Sequence, residues 1–235
     1  MSQNQRPLLA VLIDADNIPA KHAAAILKEI TTFGEPALRR VYGDWSNASL
    51  KNWTEAVQNL GLVAHQESAN TKGKNASDIG LVIDAMDILH SGRFDGFVLV
   101  SSDSDFTALA NRIREQGLTV FGIGEDKTPA SLRNVCNRFI RIENIGDQKQ
   151  QPQKSKAQGA VPLIHAAMNK IDQDGDWFSL STIGQKIAAA HSDFDVRSYG
   201  FQKLSELVRS LPEFKTQKSQ NNGKKIEVCR VEQKR

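Results

Sequence analysis

The sequence predicts an α/β fold: a mainly parallel sheet with helices on both faces, followed by a small winged-helix-like domain. Strand-like apolar segments alternate with helix-like segments through residue 146, which is typical of right-handed β-α-β crossovers. A polar stretch then interrupts the pattern, and three amphipathic helices and a hairpin follow it. A chain of 235 residues is long enough for one medium domain and a small second one.

The first domain, predicted over residues 7–146, contains six strands and five helices. The predicted strands are Leu8–Ile13, Ala37–Tyr42, Gly61–His65, Gly96–Val100, Leu118–Ile123 and Arg138–Ile142. The predicted helices are Ala20–Phe33, Ser49–Leu60, Ser77–Leu89, Phe106–Glu115 and Pro129–Val135. Gly61 and Gly117 lie where helices should end, because glycine readily adopts the left-handed conformation that closes a helix.

A flexible linker is predicted over residues 147–157 and the second domain over residues 158–232. The segment 147–156 has no apolar side chain that could join a core. Beyond it, apolar residues at helical spacing indicate three helices. They mark the segments Leu163–Ile171, Leu180–Ile187 and Phe201–Leu211. A hairpin with Asn222-Gly223 at its turn follows, and three helices with a hairpin are typical of a winged-helix module that binds nucleic acid or protein.

Two acidic runs occur where predicted strands end. Asp14 and Asp16 come at the end of the first strand, and Asp103 and Asp105 follow the fourth. The carboxyl ends of parallel strands share one edge of a sheet, and ligands bind at that edge. We therefore expect the first and fourth strands to lie side by side, with their carboxylates close together.

Asp78, at the start of the third predicted helix, is a third contributor to this edge. Crowded carboxylates repel one another, and a hard divalent cation with oxygen ligands relieves the repulsion. Asp, Asn and Ser also cap helices, and capping alone would explain either acidic run taken singly. Two runs that each supply two carboxylates, where one cap suffices, favour a metal-dependent phosphodiesterase site.

Charge is distributed unevenly along the chain. Residues 1–147 contain 15 basic and 18 acidic residues, a net charge of −3, whereas residues 148–235 contain 15 basic and 9 acidic residues, a net charge of +6. This polarity fits a first domain that holds cations and a second that holds a polyanion, although a solvated basic face that binds nothing explains the excess equally well.

Several classes of protein are disfavoured. Cys136 and Cys229 form no metal-binding spacing and no disulfide framework, and the histidines do not cluster at zinc spacing. No apolar run approaches the length that spans a bilayer. We therefore expect a soluble, cytoplasmic protein without a membrane partner.

Three motifs are specific enough to indicate a family. They are Leu12-Ile13-Asp14-Ala15-Asp16-Asn17-Ile18, Lys72-Gly73-Lys74-Asn75-Ala76-Ser77-Asp78 and Val98-Leu99-Val100-Ser101-Ser102-Asp103-Ser104-Asp105-Phe106. In this order, over about residues 8–143, they resemble the NYN domain, a PIN-like (Rossmann-like) nuclease fold, in its bacterial LabA-like branch. The resemblance implies a Mg²⁺ or Mn²⁺ site that cleaves RNA. It also implies that Asp14, Asp78, Asp103 and Asp105 are the catalytic, metal-binding residues.

Further residues near these motifs are predicted to serve the site. Asn17 would orient Asp14 or contact substrate, and Ser102 would contact substrate. Lys72 and Lys74 would grip a substrate phosphate, although solvated loop lysines are the commoner case.

Other side chains near the motifs are expected to stay outside the chemistry. Ser101 stands where many family members have Gly or Thr, and this departure leaves the predicted set of carboxylates intact. Strand alternation leaves the direction of Asp16 open. Asp84 and Asp87 are predicted on the solvent face of the Asp78 helix.

The second domain carries a second resemblance. Its segments Asp176-Trp177-Phe178-Ser179-Leu180, His191-Ser192-Asp193-Phe194-Asp195 and Tyr199-Gly200-Phe201-Gln202-Lys203-Leu204 resemble the LOTUS (OST-type helix-turn-helix) domain. That resemblance implies RNA, most simply single-stranded, or a protein as the partner of this domain.

The sequence as a whole thus predicts a metal-dependent ribonuclease with an RNA- or protein-binding module. DNA remains open as a substrate. One rival is a non-catalytic RNA-binding adaptor with a weakened site. Another is a haloacid-dehalogenase-like phosphatase, because Asp14-Ala15-Asp16 mimics a DxD nucleophile motif and would make Asp14 a covalent nucleophile.

Overall fold

The computed structural model describes residues 6–66, 76–146, 154–173, 175–221 and 224–231. The chain divides after Gly146 into two compact units. Lys72 and Lys74, and the predicted hairpin turn at Asn222-Gly223, lie outside the described residues.

A six-stranded parallel sheet forms the centre of the N-terminal unit. Its strands are β1 (Leu8–Asp14), β2 (Glu35–Gly43), β3 (Val63–Gln66), β4 (Gly96–Val100), β5 (Thr119–Gly124) and β6 (Arg138–Arg141). They are arranged in the order β3-β2-β1-β4-β5-β6, and every neighbouring pair is parallel. The predicted α/β fold is therefore confirmed, as is the predicted contact between the first and fourth strands.

Five α-helices connect these strands. They are α1 (Ala23–Ile30), α2 (Lys51–Leu60), α3 (Ala76–His90), α4 (Thr107–Glu115) and α5 (Ala130–Val135). A short 3₁₀ turn precedes each of α1, α2 and α4, so these helices begin later than predicted. Helix α2 ends at Gly61, which has a φ of 62° and so shortens the predicted third strand to Val63–Gln66.

Side chains of β1 alternate between two apolar cores. Leu9, Val11 and Ile13 contribute to the core that α1 and α2 cover, whereas Ala10 and Leu12 contribute to the core under α3, α4 and α5. Each fully buried Leu or Ile contributes roughly 1.5–3 kcal/mol through removal from water. Because β1 is buried on both faces, its position and its carboxyl end are firmly fixed.

The C-terminal unit has a helical core and a hairpin. Its elements are α6 (Lys154–Gln158), α7 (Val161–Met168), β7 (Phe178–Ser179), α8 (Leu180–Ala190), α9 (Leu204–Ser210), β8 (Phe214–Asn221) and β9 (Lys224–Val231). The strands form an antiparallel sheet in the order β7-β9-β8. This arrangement agrees with the predicted winged-helix-like domain.

The linker prediction is wrong at its C-terminal end. Helix α6 occupies positions assigned to a flexible linker. Ala157, with Ala160 just after the helix, is buried in the core of the C-terminal unit. Small side chains pack there, although the preceding residues are strongly polar.

Candidate functional site

Asp14, the last residue of β1, is held rigidly at the carboxyl edge of the sheet. Asp14 is only 1% exposed. Its Oδ1 accepts hydrogen bonds from the backbone N–H groups of Asp16 and Asn17, both at 3.2 Å. Its Oδ2 accepts from Asn17 Nδ2 at 2.7 Å and from Ser101 Oγ at 2.8 Å. Burial raises the pKa of Asp14, and the hydrogen bonds from Ser101 and Asn17 oppose that rise.

Ser101 joins the two acidic motifs. Its backbone N–H donates to Ile123 O at 3.0 Å, which fixes the residue just beyond β4. Its hydroxyl donates to Asp14 and accepts from the backbone N–H of Asp103 at 3.0 Å. No contact between Ser101 and Asp14 was predicted from the sequence. Its position directly after the strand beside β1 is the signal that could have revealed this contact.

Asp103 and Asp105 lie at the start of the short 3₁₀ turn that leads into α4. Asp103 Oδ1 accepts from the backbone N–H of Asp105 at 2.9 Å, so Asp103 caps this turn. Asp105 is exposed in the first turn. Asp103 can therefore cap this turn and still bind a further group at the carboxyl edge of the sheet, because a carboxylate has additional lone pairs.

Asp78 lies in the first turn of α3 and is partly buried. Burial, followed by the charges of Asp14, Asp103, Asp16 and Asp105, raises the pKa of Asp78 to about 6. This shift indicates that Asp14, Asp103 and Asp105 each lie within electrostatic range of Asp78. The charge of Asp16, whose side chain is exposed, also reaches Asp78. We call these five carboxylates together the acidic edge.

The remaining predicted site residues have different surroundings. Asn17 bonds Asp14, as one of its two predicted roles requires. Ser102 is buried, and its Oγ accepts from the backbone N–H of Glu125 at 2.9 Å, which ties it to the segment after β5. Substrate contacts by Asn17 and Ser102 stay predictions.

The acidic edge suits a partly hydrated divalent cation. Carboxylate oxygens are the ligands that Mg²⁺ and Mn²⁺ prefer, and a cation would relieve the repulsion felt by Asp78. Within the described residues, no three His, Cys, Asp or Glu side chains are arranged as a ready ligand cluster. Mg²⁺ usually retains several waters and uses only one or two carboxylates of the protein.

Asp84 is not on the solvent face of α3, contrary to the prediction. It accepts hydrogen bonds from Arg40 Nη1 and Tyr42 Oη of strand β2, and its side chain is 19% exposed. Desolvation by burial, followed by the hydrogen bond to Asp84, raises the pKa of Tyr42. Asp87 is exposed, as predicted.

The C-terminal unit presents a polar surface between α9 and the hairpin. A cavity of about 310 Å³ is lined by Arg209, Thr216, Gln217, Lys218 and Glu227. Arg209 pairs with Glu227 at 2.8 Å, and both are partly exposed.

Among the described helices, none has the length and apolar character needed to span a bilayer.

Comparisons with known proteins agree with these observations. The NYN domain model matches residues 8–143, and the OST-HTH/LOTUS domain model matches residues 153–226. No curated protein matches the chain. The solved structure of VPA0982, a protein of unknown function from Vibrio parahaemolyticus, is 19% identical, covers 60% of this chain and 96% of its own, and has a TM-score of 0.52, which indicates a shared fold. Acinetobacter baumannii MurG is 12% identical and covers 87% of this chain and 70% of its own, but its TM-score of 0.40 is too low to support an argument.

Proposed function

This chain belongs to the NYN-domain family of PIN-like nucleases, and we propose that it is a metal-dependent ribonuclease that hydrolyses RNA phosphodiester bonds. The gathering of carboxylates at the carboxyl edge of the sheet carries the proposal: burial, followed by the charges of four other carboxylates, raises the pKa of Asp78 to about 6. Such crowding opposes folding. It is characteristic of sites whose function requires a cation or a perturbed carboxyl group.

Asp78, Asp103 and Asp105 would hold Mg²⁺ or Mn²⁺ directly or through water, and the buried Asp14 would support the ion with its fixed charge. When bound, the ion stabilises charge on the reacting phosphate and acidifies water. Asn17 and Ser101 keep the Asp14 carboxylate in one orientation through hydrogen bonds to its Oδ2. The exposed Asp105 is available to orient the attacking water. Orientation of reacting groups by fixed side chains can lower a reaction barrier by up to roughly 7–11 kcal/mol.

The geometry of Asp14 disfavours the rival phosphatase. A covalent aspartyl nucleophile needs an oxygen free to attack phosphorus in line. Each of the two carboxylate oxygens of Asp14 accepts two hydrogen bonds, and the residue is 1% exposed. A fixed charge that supports a cation fits this environment better.

The C-terminal OST-HTH/LOTUS domain supports an RNA partner. We propose that it adds affinity for single-stranded RNA through its net positive charge, which in residues 148–235 is +6. A protein partner for this domain is the alternative that a truncation experiment separates. The cytoplasmic location expected from the sequence stays a prediction.

The proposal is tested with the full-length protein and end-labelled single- and double-stranded RNA and DNA, each with Mg²⁺, Mn²⁺ or EDTA. We expect RNA cleavage with either metal and none with EDTA. Asp103→Asn should lower the cleavage rate by about 100-fold or more, because asparagine can preserve the cap but removes the charge. Asp87→Asn, which alters an exposed carboxylate on α3, should match wild type. Preferential DNA cleavage would overturn the RNA assignment, and binding without cleavage under every condition would favour the adaptor.

A further inference from the structure

A charged cluster between strand β2 and helix α3 has no part in the chemistry described above. The two carboxylate oxygens of Asp84 accept from different donors: Arg40 Nη1 bonds Oδ1, and Tyr42 Oη bonds Oδ2. Tyr42 is 1% exposed, and the side chains of Arg40 and Asp84 are 28% and 19% exposed. The cluster therefore links the helix to the sheet in a largely desolvated place.

Stability alone is a weak reason for such a cluster. Taking a charged pair out of water costs about as much as the pair regains, so apolar side chains of similar volume often serve as well or better. Directionality is what the cluster adds. Leu81 and Ala85 hold α3 to the sheet by apolar packing, which tolerates small sliding and rotation. Two hydrogen bonds to separate oxygens of one carboxylate restrict both movements.

The cluster lies on a short path between two site carboxylates. Asp78 is six residues before Asp84 on α3, a separation of roughly 9 Å along the helix axis. At the other end of the path, Tyr42 is the partner of Asp14 in the register of β2 with β1, and Ala15 N–H donates to Tyr42 O at 2.9 Å. One side of the cluster is thus attached beside Asp14, and the other side is on the helix that carries Asp78.

We propose that Asp84 is a positioning residue that sets the place of Asp78 relative to Asp14, with Arg40 and Tyr42 as its anchors. The inference rests on the proposed metal-dependent site. It adds a specific requirement: the carboxylate of Asp84 acts through α3, without touching substrate or cation. A displacement of about 1 Å in a catalytic group can cost roughly 100-fold in rate, so a small shift of α3 has a measurable consequence.

The test compares Asp84→Asn and Tyr42→Phe with Asp87→Asn, an isosteric change on the exposed face of the same helix. Mn²⁺ binding is measured directly by the loss of the free-ion electron paramagnetic resonance signal, and kcat and KM are measured on single-stranded RNA. We expect Asp84→Asn to weaken Mn²⁺ binding and lower kcat, each by about 10-fold or more, with the KM for RNA within about twofold of wild type. Tyr42→Phe should show a smaller change in the same direction, and Asp87→Asn none.

A double-mutant cycle distinguishes positioning from general loss of structure. If Asp84 acts through Asp78, adding Asp84→Asn to Asp78→Asn should leave the residual Mn²⁺ affinity and rate unchanged. Effects that multiply would overturn the inference. So would a change in KM alone, or wild-type Mn²⁺ binding in both Asp84→Asn and Tyr42→Phe. Tyr42→Phe removes one hydroxyl, so it serves as the test if Asp84→Asn does not fold.

Failure of this inference is distinguishable from failure of the proposed function. A wild-type protein that cleaves RNA with metal, beside an equally active Asp84→Asn variant, would overturn the positioning role and leave the nuclease intact. A wild-type protein that neither binds Mn²⁺ nor cleaves RNA would overturn both.

Discussion

The two units differ in where they keep their polar side chains. Among the described residues, the buried polar ones are Asp14, Ser101, Ser102, Thr128 and Asn144, and all belong to the N-terminal unit. The buried core of the C-terminal unit consists of apolar residues and Cys229. A buried polar group needs a partner and a reason, since leaving it unsatisfied costs roughly 1–3 kcal/mol. Fixed polar groups are what chemistry requires, whereas a binding module needs only a stable scaffold beneath an exposed, charged surface.

Among the variants that test this difference between the units, the largest expected loss of activity comes from removing one carboxylate at the acidic edge. Asp103→Asn should lower the cleavage rate by about 100-fold or more, because charge stabilisation at a reacting phosphate has that magnitude. Asp14→Asn is a poorer choice, since its amide would face the donors of Asn17 and Ser101. Single-turnover cleavage measures the change, and circular dichroism verifies the fold. Activity of Asp103→Asn equal to that of Asp87→Asn would contradict the assignment.

The next largest effect is expected from removing buried hydroxyl groups of the N-terminal unit, and it separates their contribution to stability from their contribution to activity. Ser101→Ala removes a donor to Asp14 and an acceptor for Asp103 N–H, whereas Ser102→Ala removes a bond to the Glu125 backbone. Both variants should lose about 1–3 kcal/mol of stability in urea. Ser101→Ala should lose about 10-fold more activity than Ser102→Ala, because only Ser101 touches a site carboxylate. If Ser102→Ala instead raises KM for RNA, the predicted substrate contact by Ser102 gains support.

These hydrogen bonds indicate what the sequence could and could not predict. The adjacency of β1 and β4 was predictable, because acidic runs after two buried strands make sense only at a shared edge. The contact of Ser101 with Asp14 spans 87 positions in the chain. It depends on strand register, which hydrophobic periodicity does not specify.

The error at Asp84 has a similar origin. A charged residue on a helix usually faces solvent, and nothing in the local sequence points to Arg40, which comes 44 residues earlier on another element. Helix α6 was missed because its few small residues give no amphipathic pattern, although Ala157 is buried. Local sequence thus predicted the elements and the acidic edge, and long-range contacts determined which polar groups support it.

A truncation tests the other half of the comparison. A chain ending at Gln151 should retain the turnover of the full-length protein at saturating RNA and bind long RNA about 10-fold more weakly, because a tethered module acts through effective concentration. Its affinity should also depend less steeply on salt, since fewer basic side chains displace counterions. Fluorescence anisotropy between 50 and 200 mM salt, roughly the range over which such slopes are resolved, gives both quantities. An unchanged affinity and slope would assign the C-terminal unit to a protein partner.

The smallest effect concerns stability and pH. Because the pKa of Asp78 in the folded state is about 6, above its unfolded value, protonated Asp78 favours the folded state, and that advantage disappears as pH rises from about 4 through 6. In EDTA at pH 7, Asp78→Asn should therefore be more stable than wild type, by about 1 kcal/mol after allowance for solvent screening. At pH 4 the two proteins should unfold at nearly the same urea concentration. A stability difference that is the same at both pH values would contradict the assigned cause.

Metal reconstitution of cleavage is the most direct test of the claim that the acidic edge is a cation-dependent nuclease site. Full-length protein is stripped with EDTA, exchanged into metal-free buffer and given labelled single-stranded RNA while Mg²⁺ is titrated back. We predict no cleavage before addition, saturable recovery in wild type and in Asp87→Asn, and no recovery in Asp103→Asn. Equal cleavage in EDTA and in Mg²⁺, or recovery in Asp103→Asn at the wild-type rate, would contradict the account.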